Sequence, residues 1–473
     1  MVDMDALRAT SKLTIARVIN AIIYFSGIAY FSQKLGPKEM GVYFLFHSLV
    51  AVLTIPADFG IRAAVQQRLS AEESPSTALT TAIVLKLVPL GIVALGIFIF
   101  ERIINSYIGA DLALFLIVAL ALEEYSTFTL SVIKGELSVG KTAIVRVVDP
   151  IVWFVVGITS INAGFEAKGI VFAMMAGNAA MLLVGTLRAT TPLGRPSISS
   201  LHSIWDFSKY RVISSVGTFA HNWLDVLILG FFLGQAAVGI YEIAWRVSNS
   251  LLLFARSLAE TVIPQVSNWD AYGDQSEIES FIPVAILLSL IVVLPGIVGV
   301  SILSEEILSL VFGEDFGAGS LVLIILVSGK AFEAVHGIFG RVLAGLDRPD
   351  VAARISVVMV LLNVLLNIAL VSTIGIAGAA IATVVSFSVG TIGLWYLLHS
   401  HINLKIPVKG IAFMGGTSVG MGLLVLLMNG VAVVDSLPKL FGVVGFGVLA
   451  YSLLVYANAP LRETLLSGLR QIS

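Results

Sequence analysis

Cysteine is absent from the 473 residues, which excludes disulfides, thiolate metal sites and a cysteine nucleophile. Charge is scarce. Only 12% of the chain is Asp, Glu, Lys or Arg, against 58% apolar residues and a mean hydropathy of +0.99, far outside soluble composition. The 28 basic residues are dispersed and balanced by 30 acidic ones, so there is no basic patch of the kind that binds nucleic acid. Walker, His-Glu-x-x-His, Gly-x-Ser-x-Gly and nucleotide-binding Gly-rich patterns are all missing. That leaves no expected catalytic residue, metal or cofactor, and it argues against direct ATP hydrolysis. The long outer loop that a membrane glycosyltransferase or polymerase needs is missing as well.

What fills the chain is long apolar runs. With about 20 residues needed to cross the hydrocarbon, the sequence reads as an all-α polytopic membrane protein of about fourteen spans. They fall near 12–34, 41–62, 79–100, 111–133, 143–162, 168–188, 209–233, 238–262, 281–303, 318–340, 351–373, 376–398, 408–429 and 438–457. The run after the polar start, 1–12, is too long for a signal-peptide core and closes on no small-residue cleavage site, so an uncleaved first span is expected. Eighteen basic residues fall on the side of the N-terminus and five on the other, which predicts both termini in the cytoplasm of a cell-membrane protein. One inner segment runs against this trend: 268–280 carries Asp270, Asp274, Glu277 and Glu279 and no base. It reads as a long acidic loop.

Leu35-Gly36-Pro-Lys-Glu-Met-Gly41-Val42-Tyr43 returns 198 residues later as Leu233-Gly234-Gln-Ala-Ala-Val-Gly239-Ile240-Tyr241. Each copy follows one apolar run and opens another, the trace of an internal repeat. A weaker echo sets Lys168-Gly169-Ile170 against Ala377-Gly378-Ala379. Six spans per copy is an even number, so the copies enter from the same side and the repeat is parallel. The expected division is an N-terminal lobe at 1–190, a cytoplasmic linker at 191–207, a C-terminal lobe at 208–400, and the last two spans with a tail at 401–473.

A charge inside a span costs about 2.5 to 3.5 kcal/mol on insertion scales, so each one needs a reason. The 198-residue shift sets Asp58 on Arg256 and Arg62 on Glu260, giving Asp-x-x-x-Arg in span 2 and Arg-x-x-x-Glu in span 8. A spacing of four places each pair on one helix face. Glu242 and Arg246 form another such pair, Arg17 lies five residues into span 1, and Asp225 lies in span 7 beside His221 and Asn222. Each has two readings, snorkelling or static pairing on one side and the lining of a polar cavity on the other. Lys86 with Glu123 or Glu124 reads as a structural pair, and Glu333 with His336 as a pair or a proton relay. Pro56, Pro89, Pro264, Pro283 and Pro295 are expected to kink or end helices.

The Leu-Gly-x-x-x-x-Gly-Val-Tyr corner, Asp58-Phe59-Gly60-Ile61 with basic residues after it, Asp225 ahead of Leu233-Gly234, and Gly375-x-Ala377-Gly378-Ala-Ala-Ile-Ala-Thr383 occur in one order. In that order they resemble the Wzx-type polysaccharide flippases of the multidrug/oligosaccharidyl-lipid/polysaccharide exporter superfamily. The resemblance implies two six-helix lobes around a cavity lined by spans 1, 2, 7 and 8. Alternating access would carry a polyprenyl-linked oligosaccharide from the cytoplasmic to the outer leaflet. It implies membrane lipids and the glycosyltransferases or polymerase of the same pathway as partners. Arg17, Arg62, Arg246 and Arg256 become the candidates to hold a diphosphate, and Asp58, Asp225, Glu242 and Glu260 the coupling or cavity acids. A cation-coupled drug or metabolite antiporter of the same superfamily is the alternative, which an acidic cation site at Asp225 or Asp58 would serve. A non-transporting scaffold of a glycan-assembly complex is a second.

Overall fold

The structure is a computed structural model that describes residues 4–71, 74–202, 204, 223–431 and 433–463. His221, Asn222, Lys209, Arg211, Arg470 and the first half of span 7 lie outside the described residues. The described chain is helical almost throughout, as apolar segments in lipid must be when every backbone N–H and C=O has to be satisfied within the segment. It divides into two compact units, Met1–Gly239 and Ile240–Ser473.

In unit 1, α1 (Met4–Asp58) contains two passes. Its apolar stretch of 44 residues is too long for one crossing, and the chain turns at Gly36, whose φ of 74° and ψ of 178° leave the helical region. The expected polar break is therefore a single-residue kink. Then come α2 (Ile61–Ser70), α3 (Pro75–Ile99), the short α4 (Glu101–Ile108), α5 (Ala113–Gly135), α6 (Thr142–Asn162), α7 (Glu166–Arg188) and α8 (Trp223–Leu233).

Unit 2 follows from α9 (Gln235–Ser250), which begins at the end of unit 1, and α10 (Leu253–Tyr272). After these come α11 (Gln275–Ile302), the short α12 (Ser304–Phe312), α13 (Ser320–Gly345), α14 (Pro349–Ile374), α15 (Ile376–His399), α16 (Val408–Val431) and α17 (Leu437–Ala457). Eleven of the described helices are long and apolar enough to cross a membrane. Three spans make the difference from fourteen, one of them because it lies partly outside the described residues. Spans 1 and 2 are fused in α1, span 7 is described only from Trp223, and span 8 is broken at residues 251–252 and interrupted by Glu242, Arg246, Arg256 and Glu260.

The acidic loop at 265–280 is corrected. It is helix on both sides, α10 running to Tyr272 and α11 starting at Gln275, joined by a turn at Gly273 with φ 75°. A left-handed glycine needs only two residues to reverse the chain, so charge alone had suggested a loop where capping supplied a corner.

The repeat is visible in backbone detail. The α5–α6 turn places Leu137 at φ 57° and the α13–α14 turn places Asp347 at φ 56°, 210 residues apart. Both turns close with the same three bonds: Glu136, Leu137 and Ser138 N–H donate to Val132, Lys134 and Ile133 O, and Leu346, Asp347 and Arg348 N–H to Val342, Ala344 and Leu343 O. Gly135 packs on Leu69 and the Gln66 carbonyl, and Gly345 on Val266 and the Ile263 carbonyl. The repeated corner also meets itself. A Cβ on Gly41 would collide with the Gln235 carbonyl, and one on Gly239 with the Pro37 carbonyl, residues that are themselves 198 apart. Small residues let backbones touch here, the packing device that replaces the hydrophobic effect between helices in lipid. On the far side of α1, Gly27 and Gly157 make room for the Trp153 and Phe31 rings.

After α7 the chain runs extended over unit 1. Thr190 and Thr191 N–H both donate to Glu136 Oε1 at 2.7 Å, Gly194 N–H to Thr80 Oγ1 at 2.8 Å and Ser197 N–H to Thr81 Oγ1 at 3.0 Å.

Gly41→Ala and Gly239→Ala are each expected to cost about 1 to 3 kcal/mol through overpacking against a carbonyl. Gly442→Ala, which meets open space, should stay within about 0.5 kcal/mol. Thermal unfolding of the purified variants checks the contrast. Burial pushes the Glu136 carboxyl up, but the bonds from Thr191 and Thr190 outweigh it and hold the group below its ordinary range. A depressed carboxylate contributes above its unfolded pKa of about 4.3 and loses that contribution as pH falls through the folded value. Amide-exchange protection at Thr190 and Thr191 should therefore be flat from neutral pH down to about 5 and collapse below about 4.3. Glu136→Gln should lower it at neutral pH and remove the pH step.

Candidate functional site

Unit 1 buries a four-charge cluster. Lys86, midway along α3, is fully buried (0% exposed), and an ammonium in that position survives only if it is neutralised. Its Nζ sits 2.7 Å from Asp58 Oδ1 and 2.5 Å from Glu124 Oε2, with the Phe128 ring 5.6 Å away. Two carboxylates on one ammonium leave a negative excess, and Arg62 removes it. Its Nε lies 3.1 Å from Asp58 Oδ1, its Nη2 lies 4.0 Å from Glu124 Oε1, and its Nη1 donates to Thr127 Oγ1 at 2.8 Å. Helices α1, α2, α3 and α5 are thus tied through one charge-neutral knot.

The expected Asp58–Arg62 pair forms by a different route. Asp58 ends α1, the chain breaks through Phe59 (φ 47°) and Gly60 (φ 79°), and α2 starts at Ile61. Asp58 therefore acts from outside α2, accepting the Arg62 backbone N–H at 3.3 Å, one of the donors that a helix start leaves unpaired. Elsewhere in the unit, the Tyr24 hydroxyl donates to Asp149 Oδ2, and Ser126 Oγ donates to Asn178 Oδ1 at 3.1 Å.

Unit 2 holds the counterpart with different chemistry. Lys330, 2% exposed, sits 2.7 Å from Glu333 Oε2 and donates to Asn249 Oδ1 at 3.0 Å. Arg256 Nη2 lies 3.1 Å from both Asn249 Oδ1 and Glu333 Oε1. The expected Arg256–Glu260 pair is therefore corrected: Arg256 turns away from its own helix to the Glu333 carboxylate on α13, whose side chain is 14% exposed and which Lys330 also holds. Glu333 pairs with two cations, and the His336 ring packs edge-on to Phe387 at 5.8 Å. Glu242, 2% exposed, and Arg246 do pair at 3.1 Å across one turn of α9. Asp225 is 7% exposed in unit 1, and Arg17 and Glu260 lie on exposed faces of α1 and α10. Lys330 and the Tyr24–Asp149 bond were not anticipated. The signal was there, since both Lys330 and Asp149 are ionisable residues inside apolar runs.

Unit 2 also carries an apolar groove of about 740 Å³ between the α9–α10 break and helices α11, α16 and α17. Leu251, Phe254, Pro295, Met421, Gly447 and Tyr456 represent its lining. Among its lining residues Arg462 is the only charge, with its guanidinium 5.0 Å over the Tyr456 ring. Gly296, Gly299 and Gly447 are among the lining residues, and a Cβ on Gly296 would collide with the Leu251 side chain.

Residues 34–319 match the polysaccharide biosynthesis protein family. The chain is 39% identical, over 98% of its length and 99% of the relative's, to a Haloferax volcanii protein named probable low-salt glycan biosynthesis flippase Agl15. A second protein of that organism, probable flippase AglR, is 26% identical over 81% of each chain. Among solved structures, the lipid II flippase MurJ in an inward closed conformation superimposes with a TM-score of 0.81 at 16% identity, over 93% of this chain and 97% of that one. The fold is shared with that structure.

Lys86→Met should be severe, since it strands two buried carboxylates; breaking one side of a buried pair costs about 3 to 5 kcal/mol. Adding Glu124→Gln to Lys86→Met should recover part of that loss. A double-mutant cycle on denaturant unfolding in detergent measures the coupling, and simple additivity would show that the knot does not act as a unit.

Proposed function

The chain belongs to the polysaccharide biosynthesis protein family, and from that premise we propose that it is a flippase for a lipid-linked glycan. The observation that carries the reading is identity along nearly the whole chain to a relative named as a glycan biosynthesis flippase. This multi-pass membrane protein sits in the cell membrane with both termini in the cytoplasm. Its cargo is a polyprenyl-linked oligosaccharide assembled by glycosyltransferases of the same pathway, and alternating access carries it from the cytoplasmic to the outer leaflet. The distribution of basic residues supports the orientation. The apolar groove supports a long isoprenoid chain, because its walls offer contact area and almost no polar partner. Arg17, Arg62, Arg246 and Arg256 are proposed on the path of the anionic headgroup, and Asp58, Asp225, Glu242 and Glu260 as the acids that offset them. The cargo leaves chemically unchanged.

Cells lacking the gene should accumulate the lipid-linked oligosaccharide in the cytoplasmic leaflet and lose surface glycan, both restored by the wild-type copy. An unchanged lipid-linked pool together with altered resistance to organic cations would overturn the flippase in favour of an antiporter. In proteoliposomes, the purified protein should move a fluorescent lipid-linked oligosaccharide across the bilayer. Phe254→Trp, which narrows the groove, should slow that movement severalfold.

A further inference from the structure

An anionic headgroup needs cations that are not already neutralised, and three of the arginines singled out by the sequence are. Arg62 is held by Asp58 and Glu124, Arg256 by Glu333, and Arg246 by Glu242. Two cations of unit 1 differ. Lys134, in the last turn of α5, and Arg146, five residues into α6, flank the same turn and lie in each other's electrostatic range. Neither makes an ion pair with a described carboxylate, and the Arg146 Nε is buried without a hydrogen-bond partner. Arg17 on α1 lies within electrostatic range of Arg146, and Asn20, one turn on, donates to the Arg146 carbonyl at 3.1 Å, which fixes α1 against this end of α6.

Four described acids nearby are committed. Asp149, one turn along α6, takes the Tyr24 hydroxyl; Glu136 takes Thr190 and Thr191; Asp58 and Glu124 close on Lys86 and Arg62. Like charges flanking one turn of a low-dielectric bundle repel, and a multivalent anion relieves that repulsion. A guanidinium fork beside an ammonium suits a pair of phosphate groups.

We propose that Lys134 and Arg146, with Arg17 beside them, form the site of unit 1 that binds the diphosphate headgroup of the lipid carrier. This rests on the flippase reading. It shifts the headgroup's contacts from the arginines already paired to the two basic residues around the α5–α6 turn. The same chemistry would accept free pyrophosphate, so the test separates the two sources.

The experiment uses the full chain in nanodiscs and calorimetric titration with geranylgeranyl diphosphate, geranylgeraniol and inorganic pyrophosphate. The wild type should bind the diphosphate lipid and not the alcohol. Arg146→Gln and Lys134→Gln should each weaken binding at least tenfold, and Arg146→Lys should keep most of it, which separates lost charge from a lost fold. Arg354→Gln, on an exposed residue paired with Asp350, should change nothing. Equal binding by wild type and the Lys134→Gln/Arg146→Gln double variant would overturn the site. Inorganic pyrophosphate bound as tightly as the lipid would overturn the headgroup assignment in favour of a free-anion site. If the wild type flips lipid-linked glycan and the folded double variant flips it equally well, this inference fails alone. If the wild type does not flip it, the flippase reading fails instead.

Discussion

The whole structure depends on the cost of placing charge where water is absent. An ammonium at the middle of α3 cannot be solvated, so Lys86 draws a carboxylate from α1 and another from α5, and the carboxylates in turn draw Arg62 from α2. One buried charge fixes four helices in register. The gain is in specificity rather than in raw stability, since a well-packed apolar core can match a buried ion pair in free energy. An apolar side chain at residue 86 would tolerate several rotations of α3; an ammonium tolerates one. In unit 2 Lys330 exerts the same constraint from another helix. It sits on α13 itself and recruits Glu333 from its own helix and Asn249 from α9, while Arg256 joins from α10.

The two units therefore share a backbone plan and not a side-chain plan. What is kept between them is what the chain path requires: a left-handed residue at Leu137 and Asp347, a glycine at Gly135 and Gly345 where another helix passes close, and a short helix, α4 or α12, before the fourth helix. Backbone collisions admit almost no substitution, so these positions hold. Charges are freer to diverge, because any arrangement that neutralises itself is tolerated. Asp58 has become Arg256 across the repeat, and the partner has moved from a lysine on α3 to a glutamate on α13. A duplicated transporter is expected to separate in this way, the scaffold staying symmetric while the polar interior specialises.

That division also explains what was legible beforehand. Helices and the repeat could be read because hydropathy and glycine spacing are local signals, and the family resemblance agreed with them. The fused first pair and the break in the eighth span were not read, since the sequence placed separate spans at 12–34 and 41–62 and one span at 238–262. The acidic segment was misread because four acids in thirteen residues look like a loop, whereas one left-handed Gly273 lets two helices run to its edges. Pairings were less legible. The spacing of four predicted Glu242–Arg246 correctly, where both residues lie on one uninterrupted helix. It also predicted Asp58–Arg62, which forms only because the α1–α2 break brings the carboxylate back over the new helix start. It failed for Arg256, whose partner lies 77 residues away on α13. Sequence spacing describes a helix face and says nothing about the helix packed against it.

The same electrostatics bears on which cations can handle a moving anion. A cation locked to a buried carboxylate must give up that partner before it can accept another, and the carboxylate is then left exposed to a low dielectric. A transport cycle built on such pairs would climb a barrier of several kcal/mol at each hand-over. Cations held together without acids are instead destabilised when empty and relieved when loaded, so loading itself supplies a driving force for conformational change. Lys134 and Arg146 answer that description, flanking a turn whose backbone is fixed by three hydrogen bonds and a left-handed residue. The knot around Lys86 answers the opposite one. Rigid neutral clusters and unneutralised cations are complementary needs of a protein that must hold its helices still while a charged group passes them.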